Sequence, residues 1–166
     1  MSEIVRKWSI YWVIFVTLVS CSSAPVDPKS TNYKLNFESH DWEKISAEKS
    51  DYAFSKSKTN SIMMINSSCL KYKDVPLVNL QDSLLTGIDD LTIIEQEKIN
   101  WAGRDAISLR AKGKIDGVTV NLMVRILKRD TCNYDFILIQ PKEELLRKDS
   151  EDFLKMLESV KFNNND

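Results

Sequence analysis

The stretch Ile107-Ser108-Leu109-Arg110-Ala111-Lys112-Gly113-Lys114-Ile115-Asp116-Gly117-Val118-Thr119-Val120-Asn121-Leu122-Met123-Val124-Arg125-Ile126 alternates apolar and polar residues on both sides of Asp116-Gly117. That dipeptide suits a two-residue type I′ turn, whose central residues both need positive φ. With the pair at the tip, Ile115 stands opposite Val118, and the register upstream is fixed. Ala111 then faces Leu122, Leu109 faces Val124 and Ile107 faces Ile126, all on one side. On the other side Lys112 faces Asn121, Arg110 faces Met123 and Ser108 faces Arg125. A slip of one residue would set these apolar side chains against polar ones, so turn and pattern agree. The stretch is an antiparallel hairpin with one face made for a core.

Working outward, Asn133–Gln140 carries Tyr134, Phe136 and Leu138 on one face and Ile137 and Ile139 on the other. A strand apolar on both faces is central and covered on both sides. Beyond it, Ser150 is placed to cap a helix whose first turn holds Glu151 and Asp152. Phe153, Leu157 and Val160 form its buried stripe, with Met156 beside them. Upstream, Ala102-Gly103-Arg104 reads as a turn. Tyr52–Ser57 and Ser61–Ser68 read as a hairpin joined around Lys58-Thr59-Asn60. Between these lies a helix, with Asp74 as N-cap and Pro76 in the first turn. Leu77, Leu80, Leu84 and Ile88 follow at helical spacing, and Gly87 serves as a stop. Tyr33, Leu35 and Phe37 make an opening strand, broken by Ser39-His40-Asp41-Trp42. The order of three strands, a helix, four strands and a helix is an α+β arrangement. Its antiparallel sheet should hold about six to seven strands.

The beginning of the chain concerns location. Arg6 and Lys7 precede an apolar run from Trp8 to Val19, which closes on Leu18-Val19-Ser20-Cys21. A dozen residues fall short of the roughly 20 that a spanning helix needs, and a charged n-region before a short h-region marks an export signal. The segment resembles a bacterial lipoprotein signal peptide with its lipobox. The resemblance implies cleavage before Cys21, a diacylglyceryl group on the Cys21 sulfur and an acyl chain such as palmitate on the new amino group. An ordinary signal peptide, or an uncleaved anchor with a chance cysteine, is the alternative. The chain then divides into a signal peptide (1–20), the lipidated cysteine with a flexible tether (21–31), one globular domain (32–162) and a disordered tail (163–166). The tether reading rests on Ser22–Thr31, which holds two of the four prolines and no apolar period. Ser22 and Ser23 lack the aspartate associated with inner-membrane retention in enteric bacteria. The expected place is therefore the outer membrane, facing the periplasm.

Composition excludes some functions. Lys and Arg number 23 against 24 Asp and Glu, and losing Arg6, Lys7 and Glu3 with the leader leaves the rest slightly acidic. Nucleic-acid binders need a net basic footprint, so nucleic acid is not an expected partner. His40 is the lone histidine, and two scattered cysteines do not complete a zinc site. Four glycines cannot build a phosphate loop, a dinucleotide fingerprint or a nucleophile elbow. Glu95 and Glu97 share a strand face, as an acid/base pair would, but so do carboxylates on any solvated strand. No catalytic residue, metal site or cofactor is expected. Once Cys21 carries lipid, Cys69 and Cys132 remain as an even pair in an oxidising compartment. Joined, they would close a loop of about 60 residues and stabilise the fold by about 4 kcal/mol. Two separate buried thiols are the other reading.

The polar face of the hairpin offers Arg110, Lys112, Lys114 and Arg125, with Lys128 and Arg129 beyond. This strip could receive an anionic envelope component or an acidic patch on an envelope protein. It could equally guard a sheet edge against pairing.

The order of elements resembles the PsbP-like family, named for an extrinsic photosystem II protein. The matching residues are Tyr33-x-Leu35-x-Phe37 followed by Trp42, the central hairpins, and the ending Phe153-x3-Leu157-Glu158-Ser159-Val160-Lys161-Phe162. The resemblance implies a central antiparallel sheet sandwiched between helices. It also implies a binding or assembly module, lipid-anchored in some bacterial members, with no catalytic residue to carry over. The expected function is thus a non-enzymatic, lipid-anchored envelope module. The alternative is a periplasmic carrier or sensor for a small apolar ligand.

Overall fold

In the computed structural model, which describes residues 28–69, 74–141 and 147–163, Asp116 and Gly117 both have positive φ (50° and 77°). The elements in chain order are β1 (Tyr33–Leu35), β2 (Glu43–Ile45), β3 (Tyr52–Lys56), β4 (Ser61–Cys69), α1 (Leu77–Leu85), β5 (Asp89–Trp101), β6 (Arg104–Ile115), β7 (Val118–Arg129), β8 (Cys132–Gln140), α2 (Arg147–Glu158) and β9 (Val160–Phe162). Every pairing that the turn dictates is present, from Ile115 opposite Val118 to Ile107 opposite Ile126. The signal peptide 1–20, Cys21, the first part of the tether and residues 164–166 of the tail lie outside the described residues.

Seven strands form one antiparallel sheet in the order β2-β3-β4-β8-β7-β6-β5. The doubly apolar β8 sits in the middle, as its pattern requires. On one face α2 lays Phe153, Met156 and Leu157 against Met63, Ile65, Phe136 and Leu138. The β1–β9 ribbon extends that layer with Tyr33 and Phe162. On the other face α1 packs Leu80 and Leu85 against Ile107, Leu109, Leu122, Val124 and Ile126. Helices on both sides of an antiparallel sheet make the α+β sandwich.

Several local expectations are corrected. Asp74 does not cap α1: the helix starts at Leu77, and Pro76 is the flanking residue, without a side-chain cap. The Pro76 carbonyl instead takes the amide of Leu80 at 3.2 Å. Ser150 does not cap α2, which already begins at Arg147. Its acidic residues Asp149 and Asp152 are buried, drawn inward by Lys56. Val160 leaves the helix and pairs with Leu35 across the β1–β9 ribbon. That ribbon is separate from the main sheet, whose outermost strand on one side is β2, a strand the pattern did not announce. Pro28–Thr31 are also no part of a free tether. The Cys69 amide donates to the Pro28 carbonyl at 3.0 Å, and the Ser30 amide to the Ser67 hydroxyl at 2.8 Å.

At the other edge, β5 carries register shifts between Asp89 and Thr92 and between Ile93 and Glu95. The first sits over Gly113, where an added Cβ would lie 2.5 Å from Ile88 Cγ2 and 3.0 Å from the Asp89 carbonyl oxygen. Only a glycine lets β5 cross there.

Candidate functional site

An apolar groove opens where α1 stops short of the sheet's end. Gly87 has φ +88° and turns the chain out of the helix into Ile88 and β5. The groove, about 230 Å³ and open to solvent, lies between Leu84, Leu85 and Ile88 on one wall and Leu122, Val124 and Ile139 on its floor. The floor residues are the apolar face of β7 and the second apolar face of β8. Near its mouth, at the Asp116-Gly117 end of the sheet, the β5 edge exposes Leu91, Ile93 and Ile94, and the start of β7 exposes Val118. These are four of the six large apolar side chains exposed among the described residues, so the exposure is concentrated rather than scattered. A carrier of small ligands asks for an enclosed cavity above about 300 Å³. This groove is smaller and open, which suits side chains presented by another surface.

The four basic residues of the hairpin share the opposite face, but they do not present four unengaged charges. Arg110 Nη1 lies 3.3 Å from Glu95 Oε2, and Lys114 Nζ lies 2.8 Å from Asp90 Oδ2. The Arg125 guanidinium stacks over the Trp101 ring at 5.1 Å, and burial pulls its pKa down while the charge of Glu97 acts the other way. Lys112 has no ion-pair partner among the described residues. Lys128 donates to the Val75 carbonyl and Arg129 to the Ala102 carbonyl. The edge-guarding reading is corrected by topology: β6 and β7 are interior strands, and β5 is the edge. Protection of that edge falls to the two β5 bulges and its charged side chains.

Buried charges lie elsewhere. Lys56, Asp149 and Asp152 meet beneath the first turn of α2, with Ser61 donating to Asp149 and the Trp42 indole donating to Asp152. All are engaged with one another, so the cluster ties α2 to β3 and β4. Asp135 on β8 is different. Burial pushes its carboxyl up to about 6, against hydrogen bonds from Asn133 and Asn66 and the nearby charge of Lys29. Glu95 and Glu97 are exposed on β5, one of them paired with Arg110. His40 is exposed in the turn before Trp42. Cys69 and Cys132 lie directly opposite each other on β4 and β8, their Cα atoms 4.0 Å apart, and are joined as a disulfide. Among the described residues no helix is long and apolar enough to cross a membrane.

With this geometry in hand, solved structures supply a match. The cyanobacterial PsbP (CyanoP) of Synechocystis superposes with a TM-score of 0.56 over 87% of this chain and 98% of its own, at 12% identity. The fold is PsbP-like. LpqN, described as involved in cell envelope biogenesis of Mycobacterium tuberculosis, matches with a TM-score of 0.52 at 10% identity, over 82% of this chain and 86% of its own. A Bacteroides thetaiotaomicron protein matches with a TM-score of 0.53 at 11% identity, covering 81% of this chain and 46% of its own. No family model and no curated protein matches the sequence. At these identities the PsbP-like domain shares architecture with its neighbours, and a fold alone does not fix a function.

Proposed function

We propose that the PsbP-like domain is a lipid-anchored module of the bacterial envelope that holds another envelope protein in place and catalyses no reaction. The anchor would be the acylated Cys21, exposed by cleavage after Ser20, with the domain facing the periplasm from the outer membrane. The observation that carries the binding role is the apolar groove together with the exposed Leu91, Ile93, Ile94 and Val118 at the same end of the sheet. A clustered apolar surface at one end of a sheet is what a docking partner covers. An anionic partner on the hairpin's polar face has weaker support, since the guanidinium of Arg110 and the ammonium of Lys114 already face carboxylates.

The test compares wild type with Ile93→Asp/Val118→Asp, both purified as the intact lipidated chain from the envelope. Exposed substitutions shift stability by less than about 0.5 kcal/mol, so both should melt at nearly the same temperature. The variant should lose the proteins that wild type retains after cross-linking. Identical sets of captured proteins would overturn the docking reading. Cys21→Ala should leave the membrane fraction and lose the acyl mass, and a variant bound as firmly as wild type would overturn the anchor.

A further inference from the structure

Residues 28–32 are fixed to one end of the sheet. The Pro28 carbonyl accepts from the Cys69 amide at 3.0 Å, and the Asn32 carbonyl accepts from the Asn163 amide at 2.9 Å. The Ser30 hydroxyl lies 2.7 Å from the Tyr134 hydroxyl. Six residues of chain, and so seven steps, separate Cys21 from Pro28, a reach of at most about 25 Å. The Asp116-Gly117 turn lies at the far end of β7, about 40 Å away along a twelve-residue strand. An anchor at Cys21 therefore leaves the two ends of the sheet unequal.

Beside the fixed end, the β1–β9 ribbon places Lys34 directly opposite Lys161, both exposed. Like charges in directly opposed positions repel. Neither ammonium has an ion-pair partner among the described residues, and the ribbon neighbours Asn32, Asn36, Ser159 and Asn163 are uncharged. An unrelieved pair of cations next to the attachment point fits a surface of negative charge. Juxtamembrane Lys residues are drawn to anionic headgroups over about a Debye length.

We infer that the β1–β9 ribbon, through Lys34 and Lys161, rests on the anionic lipid headgroups of the membrane that holds Cys21, so that the groove at the Asp116-Gly117 end points away from it. This inference rests on the anchor reading above. It is tested with the full lipidated chain in vesicles of phosphatidylcholine with phosphatidylglycerol, carrying a fluorophore on Asn36→Cys, exposed beside the ribbon, or on Asp116→Cys and a headgroup quencher in the lipid. Mass spectrometry first establishes the acyl group on Cys21. Quenching should be several-fold stronger at position 36 than at 116. The excess should shrink in pure phosphatidylcholine, and also when Lys161→Glu is added. Equal quenching at the two positions of an acylated chain, or an excess indifferent to phosphatidylglycerol, would overturn the ribbon contact and leave the anchor standing. A chain without acyl mass on Cys21 would overturn both.

Discussion

Lys56 Nζ on β3 lies 2.8 Å from Asp149 Oδ1 in the first turn of α2, and both side chains are almost fully buried. Asp152 Oδ2 is 3.2 Å from the same ammonium, and the Ser61 hydroxyl donates to Asp149 Oδ2 at 2.6 Å. Burial alone would discharge these groups. It pulls Lys56 down, but hydrogen bonds to Asp149 and Asp152 hold its pKa above the usual lysine range. It pushes Asp149 up, but hydrogen bonds from Lys56 and Ser61 leave it below the usual carboxylate range.

Removing one partner from such a cluster strands the others. Lys56→Met should cost about 3–5 kcal/mol, because two buried carboxylates lose their counter-charge. The sign with pH follows from the shifts. Asp149 has a lowered pKa in the folded protein, so its contribution is present above the unfolded value and is lost as pH falls through the folded one. In Lys56→Met burial dominates at Asp149 and its carboxyl protonates readily, so the gap to wild type should narrow toward pH 3. Urea unfolding of both proteins from pH 3 to 8 measures this. A gap that is constant with pH would show that the loss is one of packing.

Much of the architecture was legible because two signals coincided. The Asp116-Gly117 turn and the alternation about it admit one register, and the two apolar faces of β8 put it at the centre of the sheet. The floor of the groove was legible in the same way, as the faces bearing Leu122, Val124, Ile137 and Ile139. What was not legible depends on partners distant in sequence. Asp152 read with Glu151 as a first-turn acid, and Asp149 fell before the expected cap Ser150, although Asp149 and Asp152 stand one turn from Phe153 and Met156 on the buried stripe. Their partner Lys56 follows Tyr52 and Phe54 at a spacing of two, on the inward side of β3. A lysine and two aspartates on core-facing positions were the available signal. The bulges of β5 left no such mark, since a bulge shifts the alternation that would reveal it, and the basic strip could not show that β5 would bring Glu95 and Asp90 alongside.

Asp135 gives a second pH effect of the opposite sign. Burial raises its carboxyl from 3.8 to about 6, so the folded state holds the proton more tightly than the unfolded chain does. Stability from this group is full below the unfolded value and falls as pH rises through about 6. Asp135→Asn removes the charge, and should stabilise the protein above pH 6 by about 2–3 kcal/mol, at 1.36 kcal/mol per pKa unit. Below pH 4 the advantage should vanish. Equal stabilisation at pH 4 and pH 7 would assign the effect to the amide's hydrogen bonds instead.

Gly113 sits where the first β5 bulge crosses β6. Gly113→Ala puts a methyl group 2.5 Å from Ile88 Cγ2 and 3.0 Å from the Asp89 carbonyl oxygen. The Ile88 side chain can rotate away, but the backbone oxygen moves only with the bulge, so a cost of about 1–3 kcal/mol is expected. Ile88 also lines the groove, and its displacement should alter that wall. Amide exchange should quicken at Asp89–Ile93 and stay unchanged at the β3–β4 hairpin. Uniform exchange across the sheet would mean that the crossing is not the constraint.

Cys69 and Cys132 are 63 residues apart in sequence and directly opposed in space. Cross-linking a loop of that length removes unfolded-state entropy equivalent to about 4 kcal/mol. The bridge also stands beside the point where Pro28 joins the sheet, because the Cys69 amide donates to the Pro28 carbonyl. Cys69→Ala/Cys132→Ala should therefore lower stability by about 2–5 kcal/mol and speed exchange of the Cys69-position amide more than that of Ile65 or Met63. The β4–β8 pairing runs on from the bridge through Ile65 and Met63 to Ile62 opposite Ile139, so the fold should survive. Reductant should lower the melting temperature of wild type toward that of the double variant and leave the double variant unmoved. A wild type that melts at the same temperature with and without reductant would rule out a stabilising bridge.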